Sequence, residues 1–134
     1  MTTNITRPGA RPARILVVDD DARVRRALCA LLRSAPGLSV AGEAASGAAT
    51  LHADDELTPD IVLLDILLPS SGDGFAVLDR LAARGRTVVA LSVQEAFRAS
   101  TLASGAAAFV GKYAGPDALL ATLQDVAARS VGTT

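Results

Sequence analysis

The side chains best placed to do chemistry are the run Asp19-Asp20-Asp21, then Asp65, Ser92 and Lys112. Each follows directly on a short apolar run. Ile15-Leu16-Val17-Val18 leads into Asp19, Ile61-Val62-Leu63-Leu64 into Asp65, Thr87–Leu91 into Ser92, and Ala107–Gly111 into Lys112. Runs of this length read as strands buried on both faces, as in a parallel sheet covered by helices. The ligand crevice of such a sheet lies outside the carboxyl ends of its strands, where these side chains would stand. Carboxylates gathered there repel one another, which raises a pKa. A hard divalent cation relieves the repulsion, and Mg2+ favours one or two carboxylates together with phosphate and water. Such a cation among three carboxylates leaves one net negative charge, which a lysine balances. With a hydroxyl to donate to a phosphoryl oxygen, the set suits in-line phosphoryl transfer onto a carboxylate.

The elements that must position these groups can be read in order. Residues 1–13 mix Thr, Asn, Arg, Pro and Gly without periodicity and read as a flexible tail. Arg14–Asp19 is the first strand. Asp20 or Asp21 can cap the helix that follows, in which Val24, Ala27, Leu28, Leu31 and Leu32 recur at helical spacing. Arg23, Arg25, Arg26 and Arg33 fall largely on the other side and read as a solvated face. Pro36-Gly37 ends that helix. Leu38–Ala44 is a second, less apolar strand, nearer an edge. An Ala-rich helix runs from Ser46 to Glu56, and Ile61–Asp65 is the central strand. Ser70–Gly74 is a loop by composition. Phe75, Leu78, Leu81 and Ala82 mark a third helix, Thr87–Ser92 a fourth strand, Glu95–Ser104 a fourth helix and Ala107–Lys112 a fifth strand. Pro116 opens the last helix, with Leu119, Leu120, Leu123, Val126 and Ala127 as its apolar stripe. Residues 131–134 form a short C-terminal tail. Five strands alternating with five helices demand right-handed crossovers and a parallel sheet with helices on both faces.

Bulk properties narrow the function. A chain of 134 residues is one domain by length. Only 3% of residues are aromatic, so Ala, Val and Leu must fill the core. A net charge of −1 lacks the basic footprint of a nucleic-acid binder. The single cysteine, Cys29, excludes an internal disulfide or thiolate metal cluster and reads as a small packed hydrophobe. There is no apolar run of transmembrane length and no apolar signal core, so a cytoplasmic protein without membrane contact is expected. His52, the only histidine, reads as a surface residue.

Four motifs, in order, carry a family resemblance: Ile-Leu-Val-Val-Asp19-Asp20-Asp21, Leu-Leu-Asp65-Ile-Leu67-Leu-Pro69, Ala-Leu-Ser92, and Gly105-Ala-Ala-Ala-Phe109-Val-Gly-Lys112. Together they resemble the receiver domain of two-component response regulators, most like the NarL/LuxR class, over residues 14–130. The resemblance implies a flavodoxin-like (βα)5 doubly wound parallel sheet with strand order 2-1-3-4-5. It implies Asp65 as phosphoacceptor and Asp19 and Asp20 as the acidic pair that positions Mg2+, with the Leu67 backbone carbonyl completing the metal site. Lys112 matches the lysine that contacts the phosphoryl group, Ser92 the hydroxyl that moves toward it, and Phe109 the aromatic switch residue. The implied phosphodonor is a histidine kinase or phosphotransfer protein, since His52 does not fill that role. Self-association as a homodimer is a further expectation; direct nucleic-acid binding by this chain, and catalysis beyond its own phosphorylation and dephosphorylation, are not. Members of the class usually carry a C-terminal helix-turn-helix for transcription regulation. This sequence ends after the last helix, which leaves a stand-alone receiver and a receiver with its output domain elsewhere both open.

The chain departs from the family pattern in further places. The Pro69–Gly74 loop is one residue longer than the usual Pro-x-x-Asp-Gly. Val93 stands where Ala or Gly is common and narrows access to Asp65. Tyr113 replaces a frequent proline, so a trans bond is expected after Lys112, a non-proline cis bond costing about 3 kcal/mol. Leu67, two residues past Asp65, can neither orient nor activate a water, and Val93 crowds the approach, so both slow phosphorylation by small donors and slow loss of the phosphoryl group are expected.

Blander roles stand beside these. Asp19 and Asp20 could be helix caps, Ser92 a strand end, Lys112 a solvated lysine; Phe109 reads equally as core and as switch, and both can hold. A receiver-like interaction module that is not phosphorylated is the alternative that Val93 and the longer loop leave open. A haloacid-dehalogenase-type hydrolase needs an acid where Leu67 stands. A nucleotide-binding domain needs a glycine-rich loop after the first strand, where acids stand instead.

Overall fold

The computed structural model describes residues 11–68 and 74–131. The five apolar runs become β1 (Ala13–Val18), β2 (Leu38–Ala44), β3 (Ile61–Asp65), β4 (Thr87–Ser92) and β5 (Ala108–Gly111). They form one parallel sheet in the order β2-β1-β3-β4-β5. The expected strand order is therefore found, with β2 at an edge. Each strand is followed by a helix: α1 (Ala22–Arg33), α2 (Gly47–Leu57), α3 (Gly74–Ala83), α4 (Arg98–Ala103) and, after β5, α5 (Pro116–Val131).

Strand alternation divides the core in two. Ile15, Val17, Ile61, Leu63, Val89 and Leu91 face α1 and α5, meeting Cys29, Leu32, Leu119 and Leu123. Leu16, Val18, Val62, Leu64, Val88 and Ala90 face the other side, meeting Val77, Leu78, Leu81 and Phe109. β3, in the middle, is buried at every residue, which is why its run is continuously apolar up to Asp65.

Several readings shift by a residue or more. β1 starts at Ala13, inside the segment read as a tail, and Arg11 pairs with Asp60 through two hydrogen bonds of 2.6 and 2.9 Å. That pairing holds the Asp60 carboxyl below the usual carboxylate range. On α1, Ala27 of the expected stripe is exposed, while Leu32 and Cys29 are buried and Leu28 and Leu31 pack against the same core cluster. Burial also pushes the Cys29 thiol up, in keeping with a packed hydrophobe. The fourth helix is two pieces, a 3-10 turn at Glu95–Phe97 and then α4, because the Phe97 N–H bonds back three residues to the Gln94 carbonyl. Ser46 is the N-cap of α2 rather than its first residue, accepting from the Ala49 N–H at 3.1 Å. The expected length of the Pro69–Gly74 loop and most of the N-terminal tail lie outside the described residues.

One network was not anticipated. Asp54, on α2, is 1% exposed and binds Arg84 at 2.9 Å and Arg86 at 2.5 Å. Arg86 also donates to the Pro59 carbonyl at 2.8 Å. This buried carboxylate ties α2 to the α3–β4 connection. Among the described residues no helix is long and apolar enough to cross a membrane.

Candidate functional site

The β1–α1 turn carries the acidic run. The Asp19 N–H donates to the Ala44 carbonyl at the end of β2 (3.2 Å), and the Asp19 carboxylate accepts from the Asp21 N–H (2.9 Å). Asp21 is the α1 cap, accepting from the N–H groups of Arg23 (2.8 Å) and Val24 (3.3 Å). Capping thus falls to Asp21 alone, which leaves Asp20 exposed and without a hydrogen bond or ion pair among the described residues.

Asp65 ends β3 and is buried. Its Oδ1 accepts from the Leu67 N–H at 3.0 Å, which folds the chain back as it leaves the strand. Leu67 itself is exposed. The Ile66 N–H is held by the Leu91 carbonyl of β4 at 3.0 Å, so the residue after Asp65 is still tied to the sheet.

Lys112 crosses to both acids. Its Nζ lies 3.0 Å from Asp19 Oδ2 and 3.2 Å from Asp65 Oδ2. Lys112 stands in a 3-10 turn, Lys112–Ala114, just past β5 and not inside the strand as read. Burial raises the Asp65 carboxyl above its ordinary range, and the charge of Asp19 adds to this against the Leu67 and Lys112 bonds. Burial works against the Lys112 ammonium, yet the hydrogen bond to Asp19 and the charge of Asp65 outweigh it and the net shift is upward.

Asp19, Asp20 and Asp65 each bring a carboxylate oxygen within 4.8 Å of the others. Oxygen-only donors of this charge fit a hard cation such as Mg2+ and not a soft one.

Ser92 is fully buried at the end of β4, and its hydroxyl accepts from the Gln94 N–H at 3.0 Å. Val93 beside it is exposed. Phe109 is buried in the core face that holds α3, so its packing role is met. The Arg98 guanidinium lies 4.8 Å from the Phe109 ring centroid, and Arg98 also donates to the Phe109 carbonyl at 3.3 Å and pairs with Glu95. No cis peptide occurs among the described residues, so the Lys112–Tyr113 bond is trans, and Tyr113 is almost wholly exposed. His52 is exposed and sits beside Glu56 at 3.3 Å.

Two positions escaped sequence reasoning. Gly74, read as loop, opens α3, and a Cβ there would lie 2.0 Å from the Ile66 carbonyl oxygen. Arg25, read as part of a solvated face, is 18% exposed and donates to the Asp19 carbonyl at 2.8 Å. Neither leaves a sequence signal, since one is a close backbone approach and the other a long side chain turning back along its helix.

A family model described as the response regulator receiver domain matches residues 15–124. A protein-glutamate methylesterase/protein-glutamine glutaminase of Koribacter versatilis is 38% identical over 108 residues, covering 75% of this chain and 29% of that protein. The nitrate/nitrite response regulator protein NarL of Escherichia coli is 35% identical over 121 residues, covering 87% and 56%. The chain therefore spans about a third to a half of the length of these curated relatives. Among solved structures, a LuxR-family two-component response regulator from Aurantimonas sp. SI85-9A1 superposes with a TM-score of 0.82 at 28% identity, covering 88% of this chain and 86% of that one. The response regulator domain of Thermotoga maritima CheB does so with a TM-score of 0.77 at 27% identity, covering 92% and 99%.

Proposed function

The chain belongs to the response regulator receiver family, and from that premise we propose that Asp65 accepts a phosphoryl group from a partner's phosphohistidine with Mg2+ bound beside it. The observation that carries this is Lys112 Nζ held between Asp19 and Asp65, with Asp20 left free at the rim. An Asp65 oxygen attacks phosphorus, the P–N bond to the donor imidazole breaks, and its electron pair stays on the imidazole nitrogen. Lys112, already on Asp65 Oδ2, can follow the incoming phosphoryl oxygens and balance their charge. Asp19, Asp20, Asp65 and the Leu67 carbonyl are the groups that would hold Mg2+, which when bound neutralises phosphoryl oxygens in flight.

Phosphorylation then changes the surface through Ser92 and Phe109. Ser92 gives up its bond with the Gln94 N–H to donate to the phosphoryl group, and the Phe109 ring moves into the space it leaves. The readout is a protein-interaction face, with partner binding or homodimer formation as its outcome. The catalysis proposed for this chain is limited to its own phosphorylation and dephosphorylation, the latter slow because Leu67 offers no group to activate water. The receiver unit is proposed as residues 14–130, acting in the cytoplasm.

The test is incubation with acetyl phosphate and Mg2+, read by intact mass. Wild type should gain one phosphoryl group, and neither an EDTA control nor Asp65→Ala should gain it. No gain in wild type would instead favour an unphosphorylated interaction module.

A further inference from the structure

Asp20 is the member of the acidic cluster whose side chain nothing among the described residues holds. Its direction is set by the backbone, and the peptide joining Asp19 to Asp20 is gripped at its oxygen. Arg25 Nη1 donates to the Asp19 carbonyl at 2.8 Å, while Arg25 Nε meets Glu43 Oε1 at 3.2 Å. The guanidinium therefore spans from α1 to the end of β2, and the β1–α1 turn lies in its reach. With the Asp19 N–H already on the Ala44 carbonyl, both ends of the Asp19 backbone are fixed. We propose that Arg25, tethered by Glu43, is a positioning residue for the Mg2+-binding pair. It fixes the plane of the Asp19–Asp20 peptide so that Asp20 presents its carboxylate beside Asp19 and Asp65.

This rests on the receiver reading above, and it makes a prediction of sign that electrostatics alone reverses. A guanidinium near a cation site repels the cation, so removing it should tighten Mg2+ binding if charge were its only effect. Glu43 offsets that charge, and what Arg25 contributes beyond it is geometry. Removing Arg25 should therefore loosen binding. The measurements are Mg2+ affinity by titration calorimetry and urea stability in EDTA, on wild type, Arg25→Ala, Arg25→Lys and Glu43→Gln. Arg25→Ala should weaken Mg2+ binding about tenfold, the low end for groups that orient metal ligands from outside. Arg25→Lys should recover part of this, and Glu43→Gln should lose less than Arg25→Ala. In acetyl phosphate labelling, Arg25→Ala should raise the Mg2+ concentration for half-maximal rate more than it lowers the rate at saturating Mg2+.

Arg25→Ala that binds Mg2+ as tightly as wild type, or more tightly, overturns the proposal, even if it is less stable to urea; Arg25 would then be only a strut between α1 and β2. If Arg25→Ala does not fold, wild-type affinity in both Arg25→Lys and Glu43→Gln overturns it equally. A wild type that binds no Mg2+ removes the proposed Mg2+-dependent phosphoacceptor function along with this one, whereas a binding wild type with an equal Arg25→Ala removes this one alone.

Discussion

Gly74→Ala should disable the site without altering any group that does chemistry. A Cβ on Gly74 would stand 2.0 Å from the Ile66 oxygen, 2.6 Å from its carbonyl carbon and 2.8 Å from its Cα. All three are backbone atoms, and real Cβ contacts essentially never fall under 3.0 Å. The start of α3 and the Ile66 peptide must then part by roughly 1 Å in a close-packed interior. Neither side yields easily. The Ile66 N–H is tied to Leu91, the Ile66 side chain is buried, and α3 is packed through Val77, Leu78 and Leu81. Overpacking of this kind costs about 1–3 kcal/mol. With a urea slope of about 2 kcal/mol/M, the midpoint should fall by roughly 1 M. The displacement also passes to Leu67, whose N–H fixes Asp65 Oδ1, and a misplacement of about 1 Å can cost on the order of 100-fold in rate. Urea unfolding followed by circular dichroism and acetyl phosphate labelling followed by intact mass would measure both. Helix propensity alone favours alanine over glycine by up to about 1 kcal/mol. A Gly74→Ala protein with a midpoint at or above wild type and an unchanged labelling rate would refute the close-approach argument.

Asp54→Ala should lose about 3 kcal/mol, the low end for breaking a buried ion pair, because Arg84 and Arg86 can turn toward water; a loss under about 1 kcal/mol in urea would mean the network is ornamental. Asp65 has a folded-state pKa raised by burial, so its contribution favours the fold at low pH and is lost as pH rises through that value. In EDTA at about pH 7, Asp65→Asn should therefore unfold at higher urea than wild type, with the gap closing as pH falls into the carboxylate range; a reversed gap would contradict the sign. Ser92→Ala should keep phosphorylation of Asp65 but lose its effect on partner affinity or self-association. Giving up the Gln94 N–H costs wild type only about 1 kcal/mol, so a mutant that responds as fully as wild type would place the signal route elsewhere.

The sheet was legible because each strand is a short apolar run, and the acids stood out because each interrupts such a run where the strand stops. Asp19, Asp65, Ser92 and Lys112 come from four strand ends, and the parallel order brings them together at the carboxyl ends of the strands. Interactions perpendicular to that pattern were not legible. Asp54 looks like any acid in an Ala-rich helix, and only its 1% exposure beside Arg84 and Arg86 shows its role. Arg25 sits on the polar face of α1 by spacing, but its length lets it bend back under the β1–α1 turn. Helical spacing puts Ala27 on the core stripe, yet it is exposed, because a small side chain satisfies either face. The break before α4 depends on one hydrogen bond at Phe97, which composition does not encode.

The account stands most directly on where the phosphoryl group goes. After acetyl phosphate treatment with Mg2+, borohydride reduction converts an acyl phosphate on aspartate to homoserine, which tandem mass spectrometry of the digested chain can place. The account predicts homoserine at position 65 and no conversion in the EDTA control. Homoserine at position 19, 20 or 21, or at none, would contradict it.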